Sequence, residues 1–282
     1  MAGRVLTFGL SALAIVGLLW AVLMFFVWRG QERMVFFPPA EAVAVPSDVE
    51  RVDFTAPDGQ RLLYFLVRPL PADSGATLLL VFHGNADLAA WQIPWAREVV
   101  RRTGAVVVLA EYRGYGGLPG TPTYAGTRSD ALATWAMLRA REGATPERTV
   151  LYGHSLGSAV AAELAAETRP RALVLESPFS SARAMAARMP IPGLTLLWRA
   201  VARVRYDTRA RVAALEVPVW VAHGAGDAVI PVEMGREVFA AAARKGELLV
   251  VDEAEHNDLR IVAGERYWEW LGRAVGRAGT RD

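Results

Sequence analysis

The fold is decided by the stretch TVLYGHSLG at residues 149–157, where an apolar run leads directly into a Gly-x-Ser-x-Gly pentapeptide. Residues 149–152 read as a short buried strand, and the alanine-rich residues 155–168 read as a helix. Ser155 therefore occupies a tight strand-to-helix turn, where the flanking glycines avoid a collision with neighbouring chain. Such a turn presents the serine hydroxyl at the carboxyl end of a sheet strand.

A serine hydroxyl becomes a good nucleophile only when a base takes its proton and an acid orients that base. The chain offers four histidines as the base. His154 lies inside the turn, while His83 and His223 each stand before a glycine after an apolar run, where we expect them to brace turns. His256 follows the last apolar run in a polar loop, where a mobile, accessible base is expected, and is the candidate base. A purely structural loop histidine is the alternative.

Asp227 is the candidate acid because it lies just past the preceding apolar run. The chain order Ser155, Asp227, His256 is the one expected when successive strand ends of one parallel sheet carry nucleophile, acid and base. The competing carboxylates are Asp252, Glu253, Glu255 and Asp258. Their closeness to the histidine in sequence favours solvated loop charges or, for the last of them, a helix N-cap.

The developing oxyanion needs hydrogen-bond donors, and the turn after residues 78–82 offers one. Gly84 lets the chain approach closely, so the backbone N–H of Asn85 can face the serine together with the backbone N–H of Leu156. The alternative is an ordinary strand-to-helix turn in which Asn85 serves as a cap.

Six motifs follow one another along the chain: FHGNA at 82–86, YRGYG at 112–116, GHSLGSA at 153–159, ESPFSS at 176–181, RYD at 205–207 and HGAGDAVIP at 223–231. Together they resemble the α/β-hydrolase superfamily, and more narrowly its BEM46-like branch, which includes membrane-tethered α/β-hydrolase-domain proteins. The resemblance implies that Ser155, Asp227 and His256 act as a catalytic triad. The chain departs from the branch at Glu111, where aspartate is usual, and at Asp87, where glycine is common.

Composition limits the remaining possibilities. A chain of 282 residues that is 53% hydrophobic can bury a large core, and residues 31–282 suit one α/β domain. The formal net charge of +2 gives no reason to expect nucleic acid as a partner. The chain has no cysteine, which excludes disulfides, thiolate nucleophiles and cysteine-based metal sites, and we expect neither a cofactor nor a metal.

Residues 5–28 contain no charge. As a helix they would span roughly 36 Å, against about 30 Å for a bilayer's hydrocarbon core. This length and the bulky end of the segment favour an uncleaved transmembrane anchor at residues 1–30 over a cleaved signal peptide. We expect a single-pass protein of the bacterial inner membrane. The flanking charges nearly balance, and we expect the catalytic domain on the periplasmic side.

Beyond the anchor, residues 51–54 and 62–67 predict a hairpin, and strands and helices then alternate. The predicted strands cover 77–82, 106–111, 149–152, 172–176, 217–222 and 247–251. The predicted helices cover 87–102, 127–142, 155–168, 232–245 and 258–277. This alternation predicts an α/β fold with a mostly parallel central sheet and helices on both faces. Ligands of such sheets bind beyond the carboxyl ends of the strands.

Residues 177–214 interrupt the alternation and predict a short cap or lid. Leu194, Leu197, Trp198 and Val201 recur at helical spacing and indicate an amphipathic helix. The helix either packs on the core or covers the serine, with an acyl chain on its apolar face and its arginines at lipid head groups.

These features predict a membrane-anchored serine hydrolase that cleaves carboxylic ester or thioester bonds, on acyl-bearing substrates, through an acyl-enzyme intermediate. The expected partners are a small-molecule or lipid-like acyl substrate and the membrane. A serine peptidase of the same fold and a catalytically silent membrane scaffold are the alternatives. The sequence specifies neither the acyl pocket nor the oligomeric state.

Overall fold

The computed structural model describes residues 2–41, 43–71, 75–191, 193–196 and 198–276. Within them, eight strands form one sheet. The strands are β1 Glu50–Thr55, β2 Arg61–Val67, β3 Leu78–Phe82, β4 Val106–Ala110, β5 Thr149–His154, β6 Ala172–Glu176, β7 Val219–Gly224 and β8 Lys245–Val251. The helices are α1 Ala2–Val35, α2 Ile93–Thr103, α3 Tyr124–Glu142, α4 Leu156–Thr168, α5 Ala182–Ala186, α6 Trp198–Val201, α7 Thr208–Ala213, α8 Val232–Ala241, α9 Leu259–Ala263 and α10 Glu265–Val275.

The sheet runs in the order β1-β2-β4-β3-β5-β6-β7-β8. The hairpin strands β1 and β2 are antiparallel, β2 joins β4 antiparallel, and every pair from β4 to β8 is parallel. The predicted α/β-hydrolase fold, with its mostly parallel sheet, is confirmed. The carboxyl ends of β3, β5, β6, β7 and β8 therefore lie along one edge, where the candidate site residues follow them.

Both faces of the sheet are buried because the central strands alternate their side chains between two apolar cores. In β3, Leu78, Leu80 and Phe82 pack into one core, while Leu79 and Val81 pack into the other. Helices α3, α4, α7 and α8 cover the first face, and α2, α9 and α10 cover the second. Burial on both sides explains why these strands read as continuous apolar runs.

Four predicted helices differ from the observed ones by more than one residue, and the one predicted over 127–142 begins earlier, at Tyr124. The helix predicted over 232–245 ends at Ala241, because Lys245 already belongs to β8. The helix predicted over 258–277 is divided at Gly264, whose φ of 55° breaks the helical path between α9 and α10; residue 277 lies outside the described residues. The helix predicted over 87–102 begins as a 3₁₀ turn at Ala89–Gln92 and becomes α-helical only at Ile93.

The cap contains less helix than its spacing predicts. Residues 193–196 form a turn, Leu197 lies outside the described residues, and α6 spans only Trp198–Val201. Short helices such as α5 and α6 cannot bury their apolar faces alone. The apolar faces of the cap pack instead against the C-terminal half of α1. There Met24 and Val27 join Ala186 and Leu194 in a separate apolar cluster.

Helix α1 is long and continues past the predicted boundary at residue 30. It contains 34 residues, and its segment Thr7–Val35 is long and apolar enough to cross a membrane. Beyond the boundary, the buried amide of Gln31 donates from Nε2 to the carbonyl oxygen of Val201 at 3.0 Å. Its Oε1 accepts hydrogen bonds from the amides of Arg203 at 2.6 Å and Val204 at 3.0 Å. The end of α1 is therefore fixed to the cap.

Candidate active site

Ser155 occupies a strained turn between β5 and α4. Its φ of 52° and ψ of −116° are unusual for a residue with a side chain, and strain of this kind occurs where the surroundings enforce it. The glycines of the pentapeptide make the turn possible. A Cβ at Gly153 would overlap the carbonyl oxygen of Gly157, and a Cβ at Gly157 would overlap that of Phe82 in β3. The predicted geometric reason for both glycines thus holds in the structure.

The structure brings the three predicted side chains together in one hydrogen-bonded row. Nδ1 of His256 lies 2.6 Å from Oδ2 of Asp227, and Nε2 of His256 lies 3.0 Å from Oγ of Ser155. A carboxylate can only accept, so Nδ1 carries the hydrogen of the neutral imidazole. Nε2 then presents its lone pair to the serine hydroxyl. This arrangement can withdraw the serine proton as Oγ attacks a carbonyl carbon.

Asp227 is held in its charged form. Burial by itself would raise its pKa, but hydrogen bonds from His223, His256 and the Ile230 amide outweigh burial and hold the pKa well below its usual range. Its Oδ1 accepts from the amides of Val229 at 2.9 Å and Ile230 at 2.7 Å, while its Oδ2 faces Nδ1 of His256 and, at 3.3 Å, Nε2 of His223. Asp227 is therefore a fixed negative charge at neutral pH, placed to stabilise a positive imidazolium.

Among the other histidines and carboxylates near this row, His223 supports it, whereas the carboxylates of the His256 loop make no hydrogen bond to it. His223 directs Nε2 to the carbonyl oxygen of Ile230 at 2.8 Å, which supports the turn that carries Asp227. Asp252 and Glu253 are exposed. Asp258 occupies the predicted N-cap position of α9, but its carboxylate makes no hydrogen bond to that helix and accepts instead from the Glu255 amide at 2.7 Å.

His154 contacts the backbone of the loop that carries His256. Its Nε2 lies 3.3 Å from the carbonyl oxygen of His256, and the two rings are 5.3 Å apart. Burial lowers the pKa of His154 more than the charge of nearby Glu176 raises it, so the imidazole is neutral. The Glu176 carboxylate accepts from the hydroxyls of Tyr152 and Tyr267, and the Glu176 carbonyl accepts from the Ser155 amide at 2.9 Å.

The loop after β3 lies directly against the serine turn. A Cβ at Gly84 would stand 2.9 Å from Nδ1 of His154 and 3.4 Å from Cβ of Ser155, so only glycine lets the chain come this close. Asn85 follows in this loop and lines the same cavity as Ser155 and Leu156. Leu156 is the first residue of α4, where amides have no acceptor within the helix. Asn85 and Leu156 thus adjoin Ser155, and their role as oxyanion donors stays a prediction.

A buried ion pair braces this loop. Nε2 of His83 lies 2.7 Å from Oε1 of Glu111, and Nδ1 lies 2.8 Å from the Gly84 carbonyl oxygen. Oε2 of Glu111 accepts from the Ala89 amide at 3.1 Å. Burial would lower the pKa of His83, but the charge and hydrogen bond of Glu111 raise it overall. The glutamate that departs from the family pattern therefore supports the loop that carries Asn85.

The side chain of Asn85 joins this loop to the end of α1. Its Oδ1 accepts from the Phe37 amide at 2.9 Å and from the Tyr115 hydroxyl at 2.9 Å, and its Nδ2 donates to the carbonyl oxygen of Val35. These partners are 30 to 50 positions away in sequence. Nothing local in the sequence distinguishes this role from that of a simple cap.

The site opens into an apolar cavity of about 340 Å³ between the cap and α1. Both Ser155 and His256 are only 9% exposed, so the accessible loop base expected from sequence is instead covered. The cavity is lined by Val27, Gln31, Met34, Val35, Phe37, Asn85, Ser155, Leu156, Phe179, Ala182, Met185, Ala186, Met189, Leu194, Trp198, Val204, Tyr206, Val229 and Ile230. These described lining residues include no charged side chain.

Sequence reasoning did not find the contribution of α1 to this cavity. Val27 reads as part of the anchor, because an apolar side chain that faces lipid cannot be distinguished by type from one that faces a protein cavity. Met34 and Val35 lie beyond the predicted anchor, and no local pattern assigns them to a cavity wall. Gln31 gives the one local signal, since an uncharged amide between flanking charged residues has no evident role at a membrane surface. Its three hydrogen bonds to the cap explain its presence.

Residues 74–208 match the protein family described as serine aminopeptidase, S33. An uncharacterized protein of Mycobacterium tuberculosis is 34% identical over 261 residues, covering 90% of each chain. The human alpha/beta hydrolase domain-containing protein 17B is 30% identical over 219 residues, which cover 78% of this chain and 72% of the human protein. Among solved structures, a Pyrococcus furiosus esterase has a TM-score of 0.65 at 20% identity, covering 86% of this chain and 98% of the esterase.

Proposed function

The chain belongs to the α/β-hydrolase superfamily, and on this premise we propose that it is a membrane-anchored serine hydrolase of carboxylic esters or thioesters with an acyl group. The observation that carries the proposal is the row from Ser155 through His256 to Asp227 at the end of an apolar cavity. A carbonyl compound with an apolar acyl chain fits both the chemistry of this row and the character of the cavity wall.

In the proposed reaction, Oγ of Ser155 attacks the carbonyl carbon while Nε2 of His256 takes its proton. The amides of Asn85 and Leu156 stabilise the oxyanion, and Asp227 stabilises the imidazolium. When the tetrahedral intermediate collapses, His256 gives the proton to the leaving alcohol or thiol. Water then loses a proton to His256, attacks the acyl-enzyme and releases the acid, and the serine recovers its proton.

Peptide hydrolysis uses the same chemistry. It is the second candidate, because the matched family is described as serine aminopeptidase. A free amino terminus, however, is a cation that would need an anionic partner near Ser155. No aspartate or glutamate occurs among the described residues that line the cavity. This supports an ester or thioester over an aminopeptidase substrate.

We propose that α1 is an uncleaved single span of a bacterial inner membrane, with the catalytic domain on the periplasmic side. Large apolar side chains such as Phe8, Leu13 and Phe26 are more than half exposed on this helix, as suits contact with lipid. Cleavage after residue 28 would remove Val27 from the cavity wall. Retention through carbonate washing and protease accessibility in spheroplasts test the anchor and its side.

The first prediction concerns Ser155→Ala. We expect it to abolish labelling by a fluorophosphonate probe and to lower kcat by about 10⁴- to 10⁶-fold, because the residues of such a row act as one unit. Ser158→Ala is the matched control, since this buried serine lies in α4 and its Oγ bonds only to the Ser155 carbonyl. Labelling retained by Ser155→Ala would refute the assignment of the nucleophile.

A panel of substrates tests the bond that is cleaved. We expect the wild-type protein to hydrolyse p-nitrophenyl esters and acyl thioesters and to leave aminoacyl p-nitroanilides intact. Faster cleavage of the anilides would favour the peptidase. No labelling and no turnover of any substrate would favour the silent scaffold.

A further inference from the structure

We propose that the cavity above Ser155 binds the acyl chain of an ester-bearing lipid that enters directly from the bilayer holding α1. The membrane helix itself is one wall of this acyl site. The inference rests on the proposed hydrolase function and deepens it, because it assigns the substrate to lipids resident in the same membrane. The occupant of the cavity is one acyl chain.

The contribution of α1 to the cavity is the first support. Val27, Met34 and Val35 line it from the helix, opposite the cap residues Met185 and Ala186. Val27 is also part of the apolar cluster that binds α1 to the cap. A cavity wall formed by a membrane helix is continuous with the hydrocarbon that surrounds that helix, so an acyl chain can move along it without crossing water.

The wall is held in place rather than resting loosely on the domain. Gln31 is buried and makes three hydrogen bonds to residues 201–204 of the cap. Glu32 lies 3.0 Å from Arg203 in an ion pair, and the Arg203 guanidinium lies 5.5 Å from the ring centroid of Trp28. Cap and helix therefore present a fixed, joint surface to a bound chain.

The rim of the cavity is apolar and exposed. Phe37, Met189 and Val229 line the cavity, yet each leaves more than a third of its surface uncovered, and Leu196 in the cap is 87% exposed. Large apolar side chains grouped around a cavity mouth mark a contact surface. Because these residues adjoin the end of a span, the surface they fit is the bilayer interface.

The length of α1 indicates how deep in the bilayer the mouth of the cavity lies. Its 34 residues extend about 51 Å, against about 30 Å for the hydrocarbon core, so roughly two fifths of the helix lies beyond that core. Trp28 and Arg29 are residue types that prefer the interface. The wall therefore begins at Val27, at the edge of the hydrocarbon, and extends to Val35 at the level of the head groups, where the ester bonds of lipids are found.

The charge of the cap agrees with this placement. Residues 177–214 contain seven arginines and one aspartate. Arg183 and Arg188 are exposed on and beside α5, which lines the cavity. A positive cap is attracted to the negative surface potential of a membrane that contains anionic lipids. The attraction would hold the mouth of the cavity against the lipid surface.

The first experiment narrows the cavity with larger side chains on α1 and on the cap. It measures the selectivity of the protein for the length of the substrate's acyl chain. The variants are Val27→Phe from α1 and Ala186→Leu from the cap, with Val22→Phe as the matched control, because Val22 is exposed on the lipid-facing side of α1. The readout is the ratio of kcat/KM for 4-methylumbelliferyl palmitate to kcat/KM for 4-methylumbelliferyl acetate. We expect the ratio to fall about tenfold or more in both cavity variants and to stay unchanged in the control.

Equal loss on palmitate and acetate in both cavity variants would show a structural effect and overturn the acyl site. A ratio that falls equally in Val22→Phe would also overturn it. If the wild-type protein hydrolyses neither ester and takes no fluorophosphonate label, the proposed function itself fails. The two failures are therefore distinguishable.

The second experiment tests entry from the bilayer with the full-length protein in lipid vesicles. The palmitate ester is placed either in the vesicles that hold the enzyme or in separate vesicles that are then mixed with them. We expect palmitate hydrolysis to be at least about tenfold faster in the shared vesicles, while soluble acetate is hydrolysed at the same rate in both arrangements. Equal palmitate rates in the two arrangements would overturn lateral entry.

Discussion

The contacts around Ser155, His83 and Asp227 set a backbone conformation at the first and the protonation state of the other two. The backbone strain at Ser155 costs about 1 to 3 kcal/mol, and the bare glycines 153 and 157 keep the cost from rising further. Asp227 stays charged because its hydrogen bonds outweigh its burial. At the scale of single residues, the site is therefore built by contacts that favour one backbone conformation or one protonation state.

The ion pair of His83 and Glu111 yields a prediction for pH. The pKa of His83 is raised, so its contribution to stability is complete below the ordinary histidine pKa of about 6.5 and is lost as pH rises through the folded pKa. We expect Glu111→Gln to reduce the free energy of unfolding by about 1 to 3 kcal/mol near pH 6, and by clearly less near pH 9.

Urea unfolding in detergent micelles at both pH values measures this difference. Glu98→Gln is the control, because Glu98 pairs with Arg101 and Arg102, which do not titrate in this range. An effect of Glu111→Gln that is equal at the two pH values would contradict the charged state assigned to His83.

At the scale of elements, the end of α1 and the loop after β3 are joined by one side chain. Asn85→Ala keeps the backbone N–H but removes the hydrogen bonds to Val35, Phe37 and Tyr115. We expect kcat to fall about tenfold on short and long esters alike, with KM little changed, because the amide proposed to bind the oxyanion would be displaced but not deleted. Steady-state kinetics with both esters measure the effect.

Tyr115→Phe is the matched control, because it removes only one of the bonds to Asn85 and leaves both bonds to the end of α1. We expect it to lower kcat much less. A folded Asn85→Ala protein with unchanged kcat would show that the loop holds its shape without the link to α1.

At the scale of the whole molecule, the chain has two unequal apolar regions. The large cores on the two faces of the sheet include nothing from α1 before its end, whereas the cap depends on the small cluster around Met24 and Val27. A protein that begins at Glu32 should therefore keep a folded sheet and lose the support of its cap. Its hydrolysis of a long ester should fall much more than that of acetate.

Limited trypsin digestion measures the loss of cap support. In the protein that begins at Glu32, we expect rapid cleavage at the exposed Arg183 and Arg188, which leaves two large fragments that resist further digestion. The full-length protein in the same detergent should be cleaved there much more slowly. Equal rates of cleavage would show that the cap is stable without α1.

The sequence by itself determined the parts of this protein that depend on short-range patterns. Apolar runs predicted the parallel strands because those strands are buried on both faces. The pentapeptide predicted the turn at Ser155 because only glycine fits on either side of it. The beginning of β8 was missed because its first two residues, the exposed Lys245 and the partly buried Gly246, carry no apolar pattern.

Only the tertiary structure decided what the end of α1 and the Asn85 side chain contact. Gln31 meets its partners 170 or more positions away, and Asn85 meets Val35 across 50 positions. A local pattern reports the periodicity and polarity of neighbouring residues, and it carries no information about which distant carbonyl or amide a side chain will reach. Packing of the cap onto α1 brings those groups together, and for this reason the wall of the cavity became visible only in the folded chain.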